Sequence, residues 1–243
     1  MKLNQDNQLS IIKEINLSLK KNNTIISNEI EKLVENMIIS GKREQELLLE
    51  LIIERNINNN EQPSIIDGFI FSKLMDTNIN DIKKNLKHFF PNGIIDLEPS
   101  LKINYQPLQD LLIKKNFREA DIITQKYLCK LVEINLSEKN KKEWLYFTDI
   151  QFLTPNDLFT IDLLWKVYSK GKFGFSVQKK LWIKNNCKWN KLWEKIEWTN
   201  KGAMKRYPKD FIWKLEAPVG HLPLFNQLRG TQTLSALFKY ITW

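Results

Sequence analysis

Residues 154–182 read TPNDLFTIDLLWKVYSKGKFGFSVQKKLW, and the fold class turns on how this run divides. Thr154 is placed to cap a helix. Pro155 suits its first position, where a backbone N–H would go unused, and Asp157 follows three residues after the cap. Leu158, Ile161, Trp165 and Tyr168 then recur at helical spacing as one apolar stripe. The stripe stops at Ser169-Lys170-Gly171, where glycine accepts the left-handed conformation of a helix C-terminus. A second helix is expected from Ser176, carrying Val177, Leu181 and Trp182. Glycine beside lysine invites a phosphate-loop reading, but that loop needs GxxxxGK[ST] after a buried strand. Here Phe175 follows Gly174 and a helix leads in, so the run is a helix-to-helix corner. Phe173 and Phe175 pack this corner or edge the surface beyond it, and Lys179, Lys180 and Trp182 begin a basic, aromatic face.

Helical patterning extends in both directions. Before the corner, LSIIKEINLSL, NEIEKLVENMII, REQELLLELIIER, IIDGFIFSKLM and INDIKKNLKHFF place apolar residues three and four apart, separated by the turn-like KKNN, SGK, NINNNEQPS and DTN. After it, a helix carrying Trp189, Leu192, Trp193 and Ile196 is expected, and then FIWKLEAPVGHLP (211–223). In that segment alternation and prolines exclude a helix and suggest an extended strap. The chain is expected to be all-α, with a small helical bundle over 1–90, a Pro/Gly/Asn-rich linker over 91–104 and a second domain over 105–243. Composition separates the two parts: all eight tryptophans lie from Trp144 onward, and residues 1–104 carry net −2 against +11 for the rest.

Several classes of function find no parts. No apolar run reaches the roughly 18 residues of a membrane span, and the N-terminus lacks a secretory or transit pattern, so the protein is expected to work where it is made. Cys129 and Cys187 show no metal-ligand spacing and are expected as buried thiols in helices. His88 is expected as a packed helix-end residue and His221 as a turn stabiliser. Neither histidine has a Ser or Cys partner in a catalytic motif, while Asp149, Asp157 and Asp162 read as caps and helix-face residues. Neither catalysis nor a protein-built metal site is expected.

What remains is binding. Between Lys166 and Lys214 the net charge is +11, the whole excess of the second half, and six tryptophans lie in or beside this window. That is more than a small core needs, so some should line an accessible surface. Aromatic faces beside fixed positive charge suit a flat, anionic, apolar ligand. They also suit single-stranded nucleic acid, whose bases stack and whose phosphates meet lysines. A scaffold whose tryptophans are all core is the third reading.

The run YSKGKFGFSVQKKLW (168–182), with DLFTIDLLW before it, LEAPVGHLP after it and YQPLQDLLIKKNFREAD at 105–121, resembles the genomes-uncoupled-four family, tetrapyrrole-binding regulators of magnesium chelatase. The resemblance spans about 105 to 225. It implies an all-helical "cupped hand" that holds protoporphyrin IX or magnesium-protoporphyrin IX without catalysis. It implies chelatase activation through the large porphyrin-binding subunit, a monomer that associates peripherally with membranes, and no nucleic-acid partner. The location implied is the plastid stroma for an algal, plastid-encoded protein, or the cytoplasm for a cyanobacterial one. The loop EWTNKGAMKRYPKD supplies Trp198, Lys201, Lys205, Arg206 and Tyr207 to the ligand, and Phe175, Lys179, Trp182, Trp189, Trp193 and Trp213 complete the expected site. The ligand's chemistry fits: rings cover an apolar macrocycle and cations hold its propionates.

Overall fold

The computed structural model describes residues 5–19, 25–136, 141–225 and 231–243, with side chains from residue 10 onward. It is all-α, as the periodicity predicts: eleven helices lie among the described residues with one two-stranded hairpin. The chain forms two compact units, one of Met1–Asp96 with Val167–Gly171, the other of Leu97–Lys166 with Lys172–Trp243.

The first unit contains α1 (Gln5–Leu19), α2 (Asn28–Ser40), α3 (Lys42–Ile53), α4 (Ile65–Met75) and α5 (Asn80–Phe89). The expected KKNN break lies outside the described residues. α2 starts at Ser27, whose hydroxyl accepts the Ile30 N–H. α4 starts with a capping box, Ser64 accepting from Asp67 N–H while Asp67 accepts from Ser64 N–H. Asp67 is fully buried and Arg55 makes this tolerable, donating through Nε at 3.1 Å from a π-helical turn (Glu54–Asn58) that extends α3. Part of the NINNNEQPS turn is thus helical, and it brings an arginine to a buried acid.

Residues 167–171 join this unit through specific contacts. The Tyr168 hydroxyl accepts from Ile94 N–H, and Lys170 pairs with Glu31 while its ammonium lies 4.6 Å over the Phe69 ring. α4 packs so closely here that a Cβ on Gly68 would lie 2.4 Å from both Cγ1 and the carbonyl oxygen of Val167. His88 is exposed rather than packed, its ring edge-on to Phe89, because α5 buries only its Ile82 and Leu86 face. We predict that Gly68→Ala destabilises the protein by about 1–3 kcal/mol through overpacking, measurable as a lower denaturant midpoint; an unchanged midpoint would show that the helix can move aside.

The second unit contains α6 (Gln106–Ile113), α7 (Phe117–Leu136), α8 (Pro155–Val167), α9 (Phe175–Lys184), α10 (Trp189–Lys195), the hairpin β1 (Thr199–Asn200) and β2 (Ala203–Met204), and α11 (Thr231–Tyr240). Before α8, a 3-10 turn (Phe147–Phe152) begins with Asp149 capping at Tyr146 N–H. Asp157 and Asp162 depart from the helix-face expectation, both being buried on α8. Asp157 accepts from the Tyr105 hydroxyl and Lys102 N–H, tying the segment before α6 to α8. Asp162 caps α9 from outside: its Oδ1 accepts from Ser176 N–H, a role Gly174 cannot fill because it has no side chain. Gly174 sits at φ 135°, where a Cβ would meet Asp162 Oδ1 at 2.8 Å. The corner is filled by Phe173, fully buried against Phe117 and Trp165, and by Phe175, fully buried against Phe225.

Candidate functional site: an aromatic ladder with a cationic rim

α9 and α10 are joined by a turn in which Asn186 and Cys187 both adopt φ 56°. The Cys187 N–H closes this turn on the Trp182 carbonyl at 2.9 Å. Cys187 is therefore exposed in a turn, not buried in a helix; Cys129 is buried, and desolvation pushes its thiol up to about 11. The reversal folds α10 back so that Trp189 packs on Trp182, centroids 5.0 Å apart with the planes tilted by 30°. Trp193, one helical turn further, stacks on Trp189 at 5.2 Å. α10 then ends, and the Trp198 N–H bonds the Trp193 carbonyl, laying Trp198 on Trp193 at 5.3 Å and 7°. Four tryptophans thus form one continuous stack, each contact worth about 0.5–1.5 kcal/mol beyond area burial.

The ladder is pinned at one end. Trp198 is fully buried and its indole N–H donates to the His221 carbonyl at 2.8 Å. The His221 ring is also fully buried: Nε2 accepts from Ile212 N–H, which leaves Nδ1–H to donate to the Ile196 carbonyl. Burial lowers its pKa, so the neutral ring is the native form. The expectation of a stabilising His221 holds, and both ring nitrogens are engaged. From Trp198 the aromatic surface continues edge-on through Phe211 to Trp213 and Tyr207, with Trp213 Nε1–H held by the Pro208 carbonyl. At the other end Phe238, fully buried on α11, packs on Trp182 and Trp189.

Trp182, Trp189, Trp193 and Trp213 are half-buried, and Tyr207 is 43% exposed, so the ladder retains accessible ring area. The segment 199–204 is a hairpin instead of a plain loop. Lys201 lies exposed in its turn, at φ 49°, and Lys205 pairs with Glu197 at 3.7 Å. The exposed Arg206 has its backbone N–H fixed by Asp210. Seven of the expected residues, Trp182, Trp189, Trp193, Trp198, Lys205, Tyr207 and Trp213, are joined by these ring and hairpin contacts, with Lys201 and Arg206 on the rim. Phe175 lies in the core and reaches the surface only as support. Lys179 donates to the Ile241 carbonyl and so anchors the C-terminal segment. Phe211, His221 and Phe238 were not expected in the site. For Phe238 a signal existed, since Leu234, Leu237, Phe238 and Ile241 recur at helical spacing.

Tyr207 also lies near the start of α7: burial, and after it the charge of Asp121, raise its pKa, while nearby Arg118 lowers it. Asp121 is buried, accepts the Leu224 N–H at 2.6 Å, and is pushed by desolvation up to about 8. Its neutral, protonated form therefore suits this place at neutral pH. Among the described residues no three His, Cys, Asp or Glu cluster as metal ligands, and no helix is long and apolar enough to cross a membrane.

Fold and site together define a helical ligand-binding domain with an aromatic surface and a basic rim. The GUN4-like family model matches residues 98–240, and the chain belongs to this family, the genomes-uncoupled-four family of the sequence resemblance. The chain is 40% identical to protein ycf53 of Pyropia yezoensis over 95% of its own length and 94% of that protein's. It is 34% identical to a chloroplastic tetrapyrrole-binding protein of Arabidopsis thaliana over 56% of this chain and 54% of that one. The solved structure of GUN4 from Chlamydomonas reinhardtii matches 60% of this chain and 91% of its own with a TM-score of 0.52 at 36% identity.

Unfolded, Asp121 would titrate near its ordinary 3.8; folded, it titrates near 8. Between these values the folded state holds a proton that the unfolded state has lost, so this group's contribution to stability falls as pH rises. Asp121→Asn should flatten that slope in denaturation curves from mildly acidic pH to pH 8; an unaltered slope would refute the assignment.

Proposed function

We propose that this protein is a non-catalytic tetrapyrrole-binding regulator. Protoporphyrin IX or its magnesium form lies along the accessible side of the ladder, against the ring edges of Trp189 and Trp193 and the half-buried Trp213, with its propionates toward Lys201, Lys205 and Arg206. Trp198 and Phe175 act from beneath, as support. The observation that carries this reading is the stacked tryptophan ladder bordered by the cationic hairpin, in a chain of the GUN4-like family. The loaded protein activates magnesium chelatase through the large porphyrin-binding subunit, in the plastid stroma and as a monomer. The name of the Arabidopsis relative, a chloroplastic tetrapyrrole-binding protein, supports both ligand class and place. The single-stranded nucleic-acid reading is less well supported, because the ladder rings stack on one another and so use the faces that bases would need.

Titration with protoporphyrin IX should quench the tryptophan fluorescence saturably. Trp193→Ala should weaken binding by about tenfold or more, through lost ring area and stacking. Lys201→Ala and Arg206→Ala should each weaken it by up to about fivefold, since exposed ion pairs contribute about 0.2–1 kcal/mol. Unquenched fluorescence at micromolar porphyrin, or full affinity in all three variants, would overturn the reading.

A further inference from the structure

The two ends of the ladder are held by different means. Trp198 is fixed by its indole N–H on the His221 carbonyl, and Trp213 by its own on the Pro208 carbonyl. Trp182 lacks such a tie: its indole Nε1 is buried without a hydrogen-bond partner among the described residues. Packing holds it instead. Its centroid lies 5.0 Å from that of Trp189 and 5.6 Å from that of Phe238, and Trp189 lies 5.9 Å from Phe238, so the three rings close a triangle. Their planes open as a fan, by 30° from Trp182 to Trp189, 20° from Trp189 to Phe238 and 49° from Trp182 to Phe238. Phe238 is the fully buried wedge that sets the opening.

The wedge is itself locked to α9. Trp243 donates its indole N–H to Asp162 Oδ2 at 3.0 Å and packs edge-on to Phe159 at 5.4 Å. The other oxygen of that carboxylate accepts from Ser176 N–H at the start of α9. Midway along α9, Lys179 donates to the Ile241 carbonyl. Toward the far end stands Trp182, under Phe238. Segment 231–243 therefore grips α9 at three levels, two of them through charge-assisted hydrogen bonds, which are about twice as strong as neutral ones.

We propose that segment 231–243 is a positioning element of the tetrapyrrole site, an inference that rests on the ligand reading above: Phe238 and Trp243 set the ladder's angle and thereby its affinity for a planar macrocycle. Phe238 is fully buried and acts through Trp182 and Trp189; Trp243 acts through Asp162, which is fully buried on α8. The means is preorganisation. A ladder with a loose base must be ordered each time a ligand lands, and that ordering weakens binding. The coupling is reciprocal: if docking of the segment tightens ligand binding, a bound ligand tightens docking of the segment by the same factor.

The test is Soret titration of the full chain with protoporphyrin IX, joined to amide hydrogen exchange. Phe238→Ala and Trp243→Ala should each weaken binding by about two- to tenfold, the equivalent of one lost aromatic contact. Phe238→Leu, which refills the wedge, should recover most of the loss. Gly68→Ala, which lowers stability from within the first unit, should bind as the wild type does. Saturating porphyrin should slow exchange in α11 by a similar factor, and by more than in α6. Without porphyrin, Phe238→Ala should already move the indole N–H resonances of Trp182 and Trp189. Wild-type affinity in both Ala variants, no recovery with Leu, an equal loss in Gly68→Ala, exchange slowed no more in α11 than in α6, or unmoved indole resonances would each overturn the proposal. A wild type that binds no porphyrin would instead take down the ligand reading, and this inference with it.

Discussion

One buried hydrogen-bond junction organises the second unit. His221 joins three segments: its ring bonds the Ile196 carbonyl at the end of α10 and the Ile212 N–H of the strap, and its own carbonyl receives the Trp198 indole N–H. With no water to compete, leaving any of these groups unpaired would cost about 1–3 kcal/mol. Trp198 is thereby fixed, and because Trp193 stacks on it nearly parallel, the orientation of the whole ladder follows. Protonating His221 would turn the acceptor facing Ile212 N–H into a donor, and burial of the ring opposes that change.

The same junction explains how so many tryptophans can serve one surface. Trp165 and Trp198 are core residues; the others in this stretch are half-buried and supported from behind by Phe211 and Phe238. A rigid aromatic platform loses little conformational entropy when a flat molecule lands on it, which favours affinity. The cations differ in kind. They sit on a short exposed hairpin and its continuation, adaptable to carboxylates without being part of the packed core.

The helices were legible because their apolar periodicity is local: the five expected in the first unit match α1–α5, and the corner at 168–175 falls where its glycines placed it. Other features depend on neighbours distant in sequence. Two buried carboxylates on α8 look like helix-face residues until Tyr105 and Ser176 arrive from other elements. The hairpin at 199–204 is only two residues per strand and has no alternation to reveal it. Cys187 is apolar in character but is turned outward by a left-handed turn. For the site, the residue types and the hairpin cations could be read from composition and resemblance. The stacking could not, since it arises from the reversal at Asn186–Cys187 and the remote pin at His221. Lys179 was legible as a cation but not as an anchor for the C-terminal segment.

The central claim is that a tetrapyrrole lies along the accessible side of the ladder. The most direct measurement is the set of tryptophan indole N–H resonances in an ¹H–¹⁵N correlation spectrum, recorded with and without protoporphyrin IX. A macrocycle in the proposed place shifts Trp189, Trp193 and Trp213 strongly by its ring current, with the backbone of 201–207, and leaves buried Trp165 nearly unmoved. Shifts confined to other tryptophans, or none at saturating porphyrin, would contradict the account.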